Sequence, residues 1–213
     1  MRIRFDAPVT IGFSFLILLV FVTTHQPLPL DLLAFIPAPV LPYLREDLFL
    51  VKPWINYRNP LEYMTIFSHV LGHADWFHLF GNLSIILLLG GKVEQNYSSL
   101  NLIKWIFITA CLTGLLNIVL MPTTLRGASG IVFMLIILFS MTEMRNGNLP
   151  ITTVLVFLLY LGQEIYLGMV VADNISRFCH ISGGLMGAIF GYRYYLRHKH
   201  RKISLVDRIS LAG

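Results

Sequence analysis

The stretch GASGIVFMLIILFSMT, residues 127–142, contains no charged residue and indicates the fold class of the chain. Five further runs also lack Asp, Glu, Lys and Arg: residues 7–30, 76–91, 105–125, 146–163 and 178–192. A transmembrane helix needs about 17 to 25 mostly apolar residues, so each run predicts one span. The shorter runs can still cross if flanking long side chains, such as that of Lys92, extend to the bilayer surface. We therefore predict an all-α membrane protein with six transmembrane helices.

The composition also indicates an integral membrane protein. Of the 213 residues, 56% are hydrophobic and 13% are charged, whereas soluble domains carry about 25% charged residues. We interpret residues 1–213 as one membrane domain with a basic tail over residues 197–213. The first run is longer than a signal-peptide core and lacks a clear cleavage site, so we expect a retained helix. The apolar residues 32–44 contain three prolines that would break a helix, and we expect them to lie at the membrane interface.

The distribution of basic residues predicts the orientation. Six spans place both termini on one side of the membrane, where Lys and Arg should accumulate if that side is cytoplasmic. With the termini inside, eleven Lys and Arg residues are cytoplasmic and five are outside: Arg45, Lys52, Arg58, Arg126 and Arg177. The basic tail suits an anionic lipid surface. No nucleic-acid-binding motif accompanies it, so we expect no nucleic acid partner.

A serine and a histidine begin two of the predicted spans from the same side. Ser129 begins the fourth span and His180 begins the sixth, and both spans run inward from the outer surface. Polar side chains inside a membrane are expensive and indicate a functional site. Serine becomes a nucleophile when an imidazole takes its proton, and this pair needs no metal or cofactor. The two residues predict a hydrolase, although an isolated membrane histidine can also be a hydrogen-bonding link between helices.

Further polar residues begin the second span at the same depth. His78 and Asn82 are four residues apart and share a helix face. They could add hydrogen-bond donors for an oxyanion, or they could bind the loop after the third span. The backbone N–H groups at the start of the Ser129 helix are a second source of donors. His73 is expected to shape the loop that enters the second span.

Glycines surround both candidate residues. Gly127 and Gly130 could let a substrate backbone approach, or could serve close helix packing. Gly183, Gly187 and Gly191 recur every four residues, which predicts a flat ridge on the sixth span. If that ridge packs against the fourth span, Ser129 and His180 come within hydrogen-bond range.

Three motifs, in this order, resemble those of the rhomboid family of intramembrane serine proteases: His73-x4-His78-x3-Asn82, Gly127-Ala128-Ser129-Gly130 and His180-x2-Gly183-x3-Gly187. The resemblance covers about residues 62–196 and implies a rhomboid-like bundle. It implies Ser129 as the nucleophile and His180 as the base and then the acid of a dyad. It also implies an oxyanion hole formed by His78, Asn82 and the Ser129 N–H. The implied substrates are single-span membrane proteins in a lipid bilayer.

The sequence departs from the family pattern at several positions. Met64-Thr65 stands where the family often has Trp-Arg, and Cys179 replaces a common alanine. Phe133 stands where a tyrosine often follows the nucleophile, so the ring that could pack on His180 remains while the hydroxyl is lost. Glu94 resembles a structural glutamate at the inner end of the second span. None of these departures removes an implied catalytic group.

Other classes of membrane protein fit less well. A zinc protease needs His-Glu-x-x-His, but residues 69–73 have the histidine spacing without a glutamate. An aspartyl protease needs two intramembrane aspartates, and every Asp lies in a loop or at a span boundary. A transporter would place its polar groups near the midplane between repeats. A rhomboid-like pseudoprotease that binds clients stays open as the alternative. We expect a bacterial inner membrane location with both termini cytoplasmic.

Overall fold

A computed structural model describes residues 6–25, 47–56, 58–144, 148–170 and 177–210. Within these ranges the chain is mainly helical, and Val51 and Leu125 form an isolated antiparallel bridge. The α-helices are α1 Pro8–His25, α2 Pro60–Ser68, α3 Trp76–Tyr97, α4 Ser99–Leu120, α5 Ser129–Ser140, α6 Ile151–Val170 and α7 Arg177–Ser210. Single 3₁₀ turns lie at Asp47–Phe49, His69–Leu71 and Met141–Glu143. The prediction of an all-α fold is confirmed.

Six of these helices overlap the six apolar runs. Among the described residues, α3 and α4 are long and apolar enough to cross a membrane by length and hydropathy alone. The apolar helices Pro8–Thr24 and Ser129–Ser140 are shorter. The count of six spans therefore stays a prediction. The expected interfacial stretch at residues 32–44, and the side chains of the tail beyond Arg197, lie outside the described part of the chain.

Helix α2 is an addition that the hydropathy pattern did not predict. Its start has two local signals: the Asn59 side chain accepts a hydrogen bond from the Leu61 N–H at 3.1 Å, and Pro60 follows at the first helical position. Both residues are favoured at these positions because a helix start leaves N–H groups unsatisfied. The helix and the turn after it lead directly into α3.

Helix α5 lies at the centre of the bundle. Eight of its twelve residues are buried, which is expected for a helix that is apolar on every side. It packs mainly along α7 and also against α3. Its first residue is Ser129, so the candidate nucleophile lies at the start of a mostly buried helix.

The glycine ridge of α7 faces α5. A Cβ atom built on Gly183 would overlap the carbonyl oxygen of Gly130, and one on Gly187 would lie 2.5 Å from the carbonyl oxygen of Met134. One on Gly191 would lie 2.7 Å from the sulfur of Met141. These glycines allow the two helices to approach to backbone contact.

Glu94 joins α1 to the far end of α3. Its buried carboxylate accepts hydrogen bonds from the N–H groups of Val9 and Thr10 at 3.0 and 2.9 Å. It also accepts from the hydroxyls of Thr10 and Ser99 at 2.8 and 2.7 Å. These bonds satisfy N–H groups at the start of α1, which have no acceptor within the helix. The contacts support the structural role expected for Glu94.

Candidate active site

The structure brings Ser129 and His180 together. The His180 Nε2 atom lies 2.8 Å from the Ser129 Oγ atom, which is hydrogen-bond distance. Ser129 is the first residue of α5, and His180 lies in the first turn of α7. Both side chains are half-buried, so they combine a protein environment with access for another molecule. The close approach follows from the backbone contact between Gly130, one residue after Ser129, and Gly183, three residues after His180.

Phe133 fixes the plane of the His180 ring. The two rings stack with centroids 4.6 Å apart and an angle of 9° between their planes. Phe133 follows Ser129 by one helical turn, so one face of α5 carries both the hydroxyl and the ring. A stacked imidazole has fewer orientations available to it, which favours the hydrogen bond to Ser129.

The loop before Ser129 is held by backbone hydrogen bonds. Val51 and Leu125 exchange both of their N–H···O bonds at 2.9 Å, and the Gly127 N–H donates to the carbonyl of His69 at 3.0 Å. Gly127 has φ +124°, a conformation that other residues rarely adopt. The residue preceding α5 provides no side-chain cap. The N–H groups at the start of α5 are therefore not occupied by a cap and point toward the loop.

His78 lies against this loop. A Cβ atom on Gly127 would be 2.6 Å from Cε1 of His78 and 2.7 Å from Nε2. Gly127 therefore leaves room for the imidazole of His78, a role distinct from the substrate access considered from the sequence. Asp75 starts α3 by accepting the His78 N–H at 2.9 Å, which sets the position of His78 on the helix.

His73 positions Asn82. The buried Asn82 amide nitrogen lies 3.0 Å from His73 Nε2, and His73 Nδ1 lies 3.3 Å from the carbonyl of Leu71. The Leu71 carbonyl can only accept, so His73 carries its proton on Nδ1 and accepts from Asn82 at Nε2. An amide nitrogen has two hydrogens, and this leaves the second one for another acceptor. The ring of His73 also contacts that of His78 edge-on, at 5.0 Å between centroids.

His69 is a structural residue of the site whose role the sequence did not indicate. Its Nδ1 lies 3.2 and 3.1 Å from the carbonyls of Thr65 and Ile66, and its Nε2 lies 3.3 Å from the hydroxyl of Thr113. Burial lowers the pKa of His69 from 6.5 to about 4. The imidazole is therefore neutral near pH 7. The backbone carbonyl of His69 accepts the hydrogen bond from the Gly127 N–H. In the sequence, the spacing of His69 and His73 was compared only with the His-Glu-x-x-His motif of zinc proteases, from which it differs by the missing glutamate.

Comparisons with known proteins identify the family of the chain. The Rhomboid domain profile matches residues 60–197, which is more than half of the chain. The chain is also 26% identical over 143 residues to the rhomboid protease GlpG of Haemophilus influenzae, covering 65% of this chain and 71% of that protein. The profile match includes α2, the Ser129 loop and the glycine ridge of α7. The chain belongs to the rhomboid family.

Proposed function

We propose that this chain is an intramembrane serine protease that cleaves transmembrane segments of other membrane proteins with a Ser129–His180 dyad. The observation that carries the proposal is the 2.8 Å contact between Ser129 Oγ and His180 Nε2, with Phe133 stacked on the imidazole. Family membership and the GlpG relative support a protease in general. The assignment of the individual catalytic residues is ours.

The contact has the geometry that acyl transfer needs. His180 Nε2 takes the proton of Ser129, and Oγ attacks the carbonyl carbon of the scissile peptide bond. The tetrahedral intermediate then collapses as His180 gives this proton to the leaving amine, which breaks the C–N bond. Water, deprotonated by the same imidazole, attacks the acyl-serine ester and restores the free hydroxyl. Neither step requires a cofactor.

The negative charge on the carbonyl oxygen needs donors close to Ser129. We assign this role to the Ser129 N–H, the second Asn82 amide hydrogen and the imidazole of His78. The N–H lies at the positive end of the α5 dipole. The other two groups lie on one face of α3, with His78 against the loop before Ser129. Donors that are already oriented cost no rearrangement during the reaction, and each is worth about 100-fold to 1,000-fold in rate.

The proposed setting is a bacterial inner membrane, with six spans and both termini cytoplasmic. Helices α3, α5 and α7 all begin at the serine end of the bundle, so the site would lie toward the outer surface. A client helix hides its carbonyls in its own hydrogen bonds, so it must unwind before Ser129 can attack. Single-span proteins with Gly or Pro near their outer end fit this requirement, because these residues weaken a helix by about 1 and 3 kcal/mol.

The test uses the purified full chain, a fluorophosphonate probe that reacts with activated serines, and a panel of single-span proteins. We expect covalent labelling at Ser129 and cleavage of a client near its outer end, located by mass spectrometry. Ser129→Ala and His180→Ala should each abolish both signals, because a nucleophile and its base act as a unit. Ser140→Ala, at the other end of the same helix, is the matched control.

Two outcomes would count against the proposal. Substantial cleavage by the purified Ser129→Ala protein would exclude this serine as the nucleophile. A folded wild-type chain that binds clients but neither reacts with the probe nor cleaves them would favour the pseudoprotease alternative.

A further inference from the structure

Arg126 places a positive charge beside the candidate nucleophile. It lies three residues before Ser129, so its Cα is within roughly 10 Å of the Ser129 Cα even along an extended chain. The backbone on both sides of it is fixed, by the Leu125 bridge to Val51 and by the Gly127 bond to His69. The position of Arg126 is therefore determined by the same contacts that position the serine.

The Arg126 side chain packs beside Gly72, in the loop that leads into α3. A Cβ atom on Gly72 would lie 3.0 Å from Arg126 Cγ, so the glycine leaves room for the aliphatic part of the arginine. The guanidinium is near enough to His78 for their charges to interact. Arg126 is half-buried, which removes part of the water that would otherwise solvate its charge.

Among the side chains that the structure describes, none supplies a carboxylate partner to Arg126. The carboxylate whose charge acts on His78, that of Asp75, is engaged in capping α3. A partly desolvated charge without a counter-ion is unfavourable, and a guanidinium forms its strongest bonds with carboxylates, often through two parallel N–H···O contacts. The site therefore offers an incoming carboxylate a partner that the described chain does not supply.

We propose that Arg126 is a specificity-determining residue that selects clients with Asp or Glu within about three residues of the scissile bond. An extended polypeptide advances about 3.3 Å per residue, so three residues on either side of the cut cover the largest separation that the chain allows between Arg126 and Ser129, roughly 10 Å. The inference rests on the proposed protease function and names the substrate class for the same site.

The charge of the carboxylate, and not its size, would provide the selection. Asp and Asn have nearly the same shape, so a comparison between them isolates the charge. An ion pair of this exposure favours the acidic client by about twofold to fivefold in kcat/KM. Because salt screens exposed charges, the preference should decrease as ionic strength rises.

The experiment uses the full chain in proteoliposomes and one client whose cut has been mapped. Asp and Asn are each placed at the three positions before the cut and the three positions after it, and kcat/KM is measured for every version. We expect an Asp preference at one or more positions. Arg126→Gln should reduce the Asp-to-Asn ratio to about 1, Arg126→Lys should retain a preference for Asp, and Arg126→Glu should favour Asn over Asp at the same position.

Arg58→Gln is the matched control, because it removes a basic residue from the same predicted side of the membrane at an exposed position. It should leave the Asp-to-Asn ratio unchanged. The unfolding temperature of each variant shows whether the fold is retained. Since the ratio compares two clients on one variant, a partly inactive variant still gives an answer.

Three results would overturn the inference. Equal cleavage of Asp and Asn clients by the wild type at all six positions would show that the site does not read charge, while the protease function would stand. An equal decrease in kcat/KM for all clients in Arg126→Gln would indicate that Arg126 holds the loop or binds lipid. A wild type that cleaves no client and is not labelled by the serine probe would refute the proposed function and this inference with it.

Discussion

Replacing Gly183 by alanine should separate the two halves of the proposed dyad. The new Cβ would overlap the Gly130 carbonyl oxygen and would lie 2.8 Å from the Gly130 carbonyl carbon. Carbon atoms in contact are normally about 3.5 to 4.0 Å apart, so α7 and α5 must move apart by about 1 Å. The obstacle is backbone on both sides, so no side-chain rotation can relieve it.

This displacement is large compared with the catalytic geometry. Ser129 precedes Gly130 directly, and His180 precedes Gly183 by less than one helical turn. An increase of about 1 Å would stretch their 2.8 Å contact beyond hydrogen-bond range. A misplacement of this size can cost about 100-fold in rate, and overpacking costs about 1 to 3 kcal/mol of stability. We expect cleavage to fall by at least about 100-fold and the unfolding temperature to fall with it.

The adjacent residue provides a matched control. A Cβ on Gly184 would meet its nearest neighbour, Cγ1 of Ile137, at 3.8 Å, an ordinary contact. Gly184→Ala should therefore cleave clients at about the wild-type rate. Cleavage of a fluorogenic single-span client and thermal unfolding in detergent measure the two effects. If Gly183→Ala matches Gly184→Ala in both assays, close packing of α5 and α7 does not hold the dyad together.

Three further predictions follow from individual contacts. His78→Ala and Asn82→Ala should lower client turnover by about 100-fold to 1,000-fold each, and unchanged rates would make both residues structural. Glu94→Gln should lower the free energy of unfolding by about 2 kcal/mol, since hydrogen bonds to a charged group are the stronger ones; an unaltered unfolding temperature would contradict its anchoring of α1. For His69, the pKa is about 4 in the folded protein and 6.5 when unfolded, so stability is complete above pH 6.5 and falls as pH decreases toward 4. Thermal unfolding across this range should show a smaller decrease in His69→Asn, and an identical pH profile would show that another group titrates.

Local sequence was sufficient for the helices and for placing the polar residues near the ends of those helices. Uncharged runs predicted the positions of α1 and α3 to α7, because a membrane span must satisfy its own backbone hydrogen bonds as a helix. The direction of each span then placed Ser129, His180, His78 and Asn82 at one end. The start of α2 at Asn59 and Pro60 was also readable from cap preferences, but hydropathy alone does not find a helix outside the apolar runs.

The neighbours of each helix were decided by the tertiary structure. Helix α5 is apolar on every side, so its sequence does not indicate which face carries Ser129 toward α7. The glycine ridge predicted a close approach without identifying its partner. The contact of His69 with Thr113, 44 residues away, and the bridge from Val51 to Leu125 join segments that share no local pattern. Sequence alone determined the helical membrane fold, the family and the candidate residues. Packing between distant helices set the 2.8 Å contact between Ser129 and His180 and the place of Arg126. The physical reason is that the rotation and spacing of each helix depend on shape complementarity between separate segments.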